Sequence, residues 1–254
     1  MPGTRISLRN WWRELRAAPS IDAALWAAGR ASVRLSASLD AASSSRLRAL
    51  CAEFLRDKNI VGAQGLDVSA AQRVIVAILC CLPMLQAGRN AWRGWHDVVL
   101  YPGTFRVRRH EHDDDEVVTE WDDDLDGEAW SHGPIILSWA AIEDDLADPF
   151  AGGNVVAHEV AHKLDLLDGV LDGTPPLTAT ALTHWRAAMQ PAFDAMVAAL
   201  DRGEQTAIDP YAAEGPDEFF AVVSEYYFSA PDLLREHMPA VHAVLRDFYR
   251  VEIG

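Results

Sequence analysis

The sequence predicts a mainly helical α+β fold in which a small sheet precedes a helix that carries H-E-x-x-H. Three observations lead there. Apolar residues recur at helical spacing through most of the first hundred residues, short strand-like runs follow from about residue 97, and after residue 150 the pattern is helical again, with His158 and His162 four apart. At 254 residues, half of them apolar, the chain can bury a substantial core. It reads as one domain over 1–254, with a helical part over 1–95 and the sheet and site helices over 96–254.

Candidate helices in the first part cover roughly 8–17, 20–35, 40–57 and 69–82. The basic start of the chain includes Arg5, Arg9, Arg13 and Arg16 beside Trp11 and Trp12, a combination found on membrane-surface helices. An amphipathic helix packed on its own protein explains it more simply, and no membrane partner is expected. In the third, Leu47, Leu50, Cys51, Phe54 and Leu55 form a packing stripe, with Asp40 as a plausible cap. Asp67 to Ala70 gives the next N-terminal signal, ahead of an apolar helix that Pro83 ends.

Strand-like runs then occupy Val98–Tyr101, Thr104–Arg108, Glu116–Thr119 and Pro134–Trp139. Between them, Glu111 to Glu128 contains eleven Asp/Glu residues. Asp122, Asp124, Asp126 and Gly127 imitate the start of a calcium loop, but Gly133 stands where the twelfth position requires a bidentate Glu. A solvated, self-repelling hairpin loop is the reading that remains. The final helices are expected around 154–167, 179–202, 216–229 and 238–250.

Charge excludes some partners. Lys and Arg number 22 against 38 Asp and Glu, a net charge of −16, which argues against nucleic acid because phosphate binding needs a cationic surface. The start shows no signal-peptide pattern, and Val74–Leu85 is too short to span a bilayer. The three cysteines, two of them adjacent, make no disulfide framework, so a reducing cytoplasm is expected.

The chemistry is concentrated in Asn154-Val-Val-Ala-His-Glu-Val-Ala-His-Lys-Leu-Asp165. Residues four apart on a helix lie about 40° apart in azimuth and one turn along, so His158 and His162 present their rings to one point. Glu159 is turned about 100° from His158 and can reach a water held there. Zinc with three protein ligands keeps a fourth position for water and lowers its pKa to about 7, and Glu159 would be the base that moves the proton. Two histidines on an exposed helix face are the bland alternative, which the Asn154 cap, the Val155, Val156, Val160 and Leu164 stripe and Gly169 beyond the helix all disfavour.

A third ligand must come from elsewhere. The extended motif with a third His is absent, since Asp165 and Asp168 occupy its Gly and final His positions, although Asp168 itself is a conceivable ligand. The stronger candidates lie on the helix beginning near Pro216. There Glu218 and Glu225, seven apart and only about 20° apart in azimuth, flank the apolar stripe of Phe219, Val222, Val223, Tyr226 and Tyr227. Helix geometry alone leaves both open, one as ligand and one orienting a ligating His.

These residues, with Cys81-Leu82-Pro83, Tyr101-Pro102, Gly127-Glu128-Ala129-Trp130, Gly133-Pro134, Leu137-Ser138-Trp139 and Asp209-Pro210-Tyr211-Ala212-Ala213, resemble the Mlc titration factor A family of cytoplasmic zinc peptidases. The likeness covers most of the chain, residues 1–40 least. It implies a zincin-like fold with one Zn2+ held by His158, His162 and Glu218, a glutamate-ligand layout shared with the anthrax lethal factor catalytic domain. It further implies Glu159 as general base and Tyr211 as a hydroxyl near the metal; with Glu218 chosen as ligand, Glu225 and Asp165 are expected as supporting groups. Pro210 departs from the family pattern and should stiffen the loop before Tyr211. By analogy with other zincins, Pro134–Trp139 would be the edge strand that pairs with an extended peptide. The activity implied is aminopeptidase-like cleavage of short peptides; a second implication is binding and sequestering of the Mlc repressor. A zinc hydrolase acting on a non-peptide amide is a third reading of the same motif.

Overall fold

The computed structural model describes residues 20–103, 105–112, 118–125, 127–129 and 133–251, and between Phe105 and Ala129 it describes the main chain. The expected helix over 8–17 and the side chains of the acidic stretch lie outside the described residues.

Three helices open the described chain: α1 (Ala23–Ser32), α2 (Ala41–Asp57) and α3 (Ala70–Cys81). Each begins where a side chain satisfies the otherwise orphaned N–H groups of a first turn. Asp22 accepts from Ala24 and Leu25, Asp40 accepts from Ser43, and Ser69 and Gln72 form a reciprocal capping box. Every residue of α3 from Val74 to Cys81 is buried, so this helix is the centre against which α1 and α2 pack.

The chain next builds β1 (Asn59–Gly62), β2 (Asp97–Tyr101), β3 (Phe105–His112), β4 (Val118–Leu125), β5 (Gly127–Ala129) and β6 (Ile135–Ser138). One sheet has the order β1-β2-β6-β5, with β1, β2 and β6 parallel and β5 antiparallel to β6. β3 and β4 form a separate antiparallel hairpin, Phe105 opposite Leu125. All four residues of β6 are buried, as expected of a strand covered on both faces. The run expected to be an edge strand is therefore interior: β5 folds back along it, Gly127 opposite Leu137, and takes the outer position. Trp139 is not part of the strand either. It starts α4 (Trp139–Ala147), because the Ser138 hydroxyl caps Ala141 N.

Six helices complete the fold: α4, α5 (Val155–Asp165), α6 (Ala179–Asp201), α7 (Pro216–Ser229), α8 (Pro231–His237) and α9 (Pro239–Tyr249). α7, α8 and α9 all begin with proline, whose missing N–H costs nothing at a first turn. The rear of α7 is fastened by aromatic packing. Phe220 and Phe248 lie edge-on to Trp185, Phe228 packs edge-on to Tyr249 with ring centres 4.8 Å apart, and Tyr249 donates to Ser224 Oγ at 2.8 Å. Burying each such ring contributes roughly 1.5–3 kcal/mol, so α7 is held firmly as it crosses α5. Among the described residues, no helix is long and apolar enough to cross a membrane.

Candidate metal centre

α5 starts where two acceptors meet its first turn. Asn154 Oδ1 accepts from Ala157 N at 3.0 Å, and Asp145 Oδ2, reaching across from α4, accepts from Val155 N at 2.9 Å. Val156, Ala157, Val160, Ala161 and Leu164 are buried on its core face. After Asp165 the chain tightens into a short 3-10 turn over Leu166–Asp168, and Gly169, at φ 93°, ends it in the left-handed region open to glycine.

The helix delivers two imidazole edges to one point, as its spacing predicts. His158 Nε2 and His162 Nε2 are 3.1 Å apart. From α7, Glu218 Oε2 lies 3.2 Å from the first and 3.4 Å from the second. Four atoms set tetrahedrally around a divalent ion at about 2.1 Å are about 3.4 Å from one another, so these three separations match three edges of that figure. Glu218 Oε2 is also buried, and its polar neighbours there are the two imidazole nitrogens, an arrangement of three converging donor atoms that a cation would complete. His158, His162 and Glu218 are the one group among the described residues placed to hold a metal ion.

Glu225, one helical repeat further along α7, takes the opposite edge of the same ring. His158 Nδ1 is 2.7 Å from Glu225 Oε1, and Glu225 Oε2 accepts from Asn154 N at 2.8 Å. One carboxylate thus orients the ring and fastens the start of the helix that bears it. The two glutamates that looked equivalent by azimuth differ in height along α7, about 10 Å apart. This offset puts Glu218 beside Nε2 and Glu225 beside Nδ1.

The electrostatics follow from that sandwich. Burial works against a charged His158, but hydrogen bonds to Glu218 and Glu225 outweigh it and hold its pKa well above the ordinary imidazole value. Burial likewise opposes ionisation of Glu218, and the two histidines more than offset it, so its carboxyl stays well below the usual range. A divalent cation would take over the positive role that protonated imidazole fills here.

Glu159 is 2 % exposed and close enough to His158 to favour its charge. Lys163, one turn on, is buried with Nζ donating to Gly133 O at 2.9 Å, and burial lowers its pKa to about 8. Tyr211 sits at the mouth: 43 % exposed, its ring centre is 6.1 Å from that of His158. It lies in a 3-10 turn over Pro210–Ala213 that Asp209 caps by accepting from Tyr211 N at 2.9 Å.

Two other candidates lie apart from the three converging atoms. Asp168 is exposed and accepts from Val170 N, outside the group. Asp165 is buried, but its oxygens accept from Gly173 N and Thr174 N, while His162 Nδ1 has no hydrogen-bond partner among the described residues. Burial raises the Asp165 carboxyl to about 6 against the pull of those two amides. Sequence reasoning missed Asp145 and Gly152 near the start of α5. A side chain on Gly152, at φ 105°, would press on the Tyr226 ring, and a glycine pair ahead of a helix cap was the available signal.

The glucose-regulated metallo-peptidase M90 family matches residues 8–250. The chain belongs to that family. Among curated relatives, Mlc titration factor A of Pectobacterium atrosepticum is 37% identical over 222 residues, covering 86% of this chain and 83% of the relative. The proteins of the same name from Salmonella arizonae and Salmonella typhimurium are each 36% identical over 231 residues, spanning 86% of this chain and 87% and 83% of their own. The family is one of metallopeptidases, and His158, His162 and Glu218 form a group that could bind a metal.

Proposed function

We propose that this chain is a zinc-dependent peptidase acting as a single metallopeptidase domain, with His158, His162 and Glu218 as ligands and Glu159 as general base. The observation that carries the reading is the convergence of two Nε2 atoms and one carboxylate oxygen within 3.4 Å of one another beside a buried glutamate. Two imidazoles, one carboxylate and an open position are a donor set typical of catalytic zinc. Bound there, zinc would polarise a carbonyl and lower the pKa of water.

The protein groups divide the remaining work. Glu159, a non-ligand on the ligand helix, takes a proton from the attacking water and passes it to the departing amine. The Tyr211 hydroxyl, beside His158 at the mouth, donates to the carbonyl oxygen as charge develops on it. Glu225 keeps the His158 ring turned so that Nε2 faces the centre. An extended peptide is expected to pair along β5, the outer strand packed against α5, in place of the interior β6. The family resemblance favours aminopeptidase action on short peptides, in a reducing cytoplasm that suits the free thiols of Cys51, Cys80 and Cys81.

A second reading rests on the relatives' name: binding of an Mlc-type repressor, with which peptidase action can coexist. A mixed-peptide library incubated with the zinc-loaded protein, with and without a chelator, tests the first reading, and a pull-down with the repressor tests the second. Cleavage that the chelator abolishes is expected. Chelator-resistant cleavage, or none, contradicts the peptidase reading.

A further inference from the structure

We infer that Asp165 is a positioning residue for the third ligand, acting through Gly173 on the first turn of α7 and not as a partner of either histidine. The inference rests on Glu218 being a ligand. Asp165 stands at the last position of α5, three residues after His162 and fully buried. Its Oδ2 accepts from Gly173 N at 2.7 Å and its Oδ1 from Thr174 N at 2.8 Å. From α6, Trp185 Nε1 donates to Gly173 O at 3.0 Å. Asp165 on α5 therefore fixes the N–H of the peptide group on each side of Gly173, and Trp185 on α6 fixes the carbonyl of the second.

Gly173 is in turn pressed against the start of α7. At φ 76°, a Cβ on it would lie 2.2 Å from Pro216 O and 2.6 Å from Pro216 C, so this residue touches backbone, where nothing can yield cheaply. Pro216 is the first residue of α7, and Glu218 is two residues further on. The helix that presents both imidazoles thus also sets, through Asp165 and Gly173, the height at which the third ligand arrives. A ligand set loses its geometry when one member moves by about 0.5 Å, so a spacer of this kind controls metal affinity without touching the metal.

A merely structural Asp165 would lower affinity whether or not Glu218 is present, which makes a double-mutant cycle decisive. Zn2+ affinity is measured by competition with a chromophoric chelator for the full-length chain and for Gly173→Ala, Asp165→Asn, Glu218→Gln and the two doubles. Gly173→Ala and Asp165→Asn are each expected to weaken binding about 10- to 100-fold in the parent and less than about threefold beside Glu218→Gln. Equal losses in both backgrounds, or no loss in either, overturn the inference. Undiminished affinity in Glu218→Gln alone instead overturns the ligand assignment beneath it. Should Gly173→Ala fail to fold, Asp165→Asn carries the cycle by itself.

Discussion

Replacing Glu225 separates orientation of a ligand from ligation itself. Its two oxygens hold His158 Nδ1 at 2.7 Å and Asn154 N at 2.8 Å, and the side chains of Glu225 and His158 are only 17% and 13% exposed. Hydrogen bonds to charged groups contribute about 1.5–3 kcal/mol each, and loss of a carboxylate behind a metal-bound imidazole typically weakens metal binding 10- to 100-fold, about 1.4–2.7 kcal/mol. Glu225→Ala should therefore bind Zn2+ 10- to 100-fold more weakly on the high-pH plateau, while Glu225→Gln, which keeps an acceptor but not the charge, should fall between. The Asn154 contact is common to the metal-free and metal-bound protein, so its loss belongs to stability. The metal-free melting temperature of Glu225→Ala should drop by roughly 2–4 °C for each kcal/mol lost. Chelator competition and circular dichroism melts read the two effects separately. Plateau affinity in Glu225→Ala within about twofold of wild type would refute the orienting role.

Two further perturbations bear on the same site. Tyr211→Phe removes the hydroxyl alone and should lower kcat for peptide cleavage about 100-fold with zinc content unchanged; an unaltered kcat, or lost zinc, would contradict a role at the carbonyl oxygen. The second concerns pH. Burial opposes a charged His158, but the hydrogen bonds its ring donates to Glu218 and Glu225 overcome that and raise its folded pKa. The stabilisation it gives the metal-free chain is present below the unfolded value of about 6.5 and is lost as pH rises through the folded value. Metal affinity should climb over that same window, because zinc must displace the proton. Titration calorimetry at pH 7 in buffers of different protonation enthalpy should show about one proton released per zinc, and zero release would be inconsistent with this account.

Most of the fold was legible where a single periodicity ran for three turns or more. The helices over residues 41–57, 70–81, 155–165 and 216–229 have the bounds that their caps and apolar stripes predicted, to within two residues. The elements that escaped are short and nearly without pattern. β1, Asn-Ile-Val-Gly, buries only Ile60, α4 only Ile142 and α8 only Leu234, so none offers a periodic face to read. The position of β6 was hidden for a different reason. Its residues gave the strand, but which neighbour flanks a strand is decided by pairing with distant segments, here β2 on one side and β5 on the other.

The site divides along the same line. His158 and His162 converge through the geometry of one helix, which sequence spacing fixes. Choosing between Glu218 and Glu225 requires the offset of α7 along α5, a tertiary quantity that no local pattern encodes. Resemblance to relatives selected Glu218, and the packing supplies the physical reason, since only Glu218 stands level with both Nε2 atoms. Asp165 was expected as a supporting group around the ligands, yet its oxygens accept from the amides of Gly173 and Thr174, a loop contact that no local pattern encodes.

The central claim is that Glu159 moves a proton at a zinc site that it does not build. Glu159→Gln keeps the shape of the side chain and removes the base, so the purified variant should carry zinc in the wild-type amount and cleave peptides at least about 100-fold more slowly. Zinc bound in full together with wild-type cleavage would contradict the account.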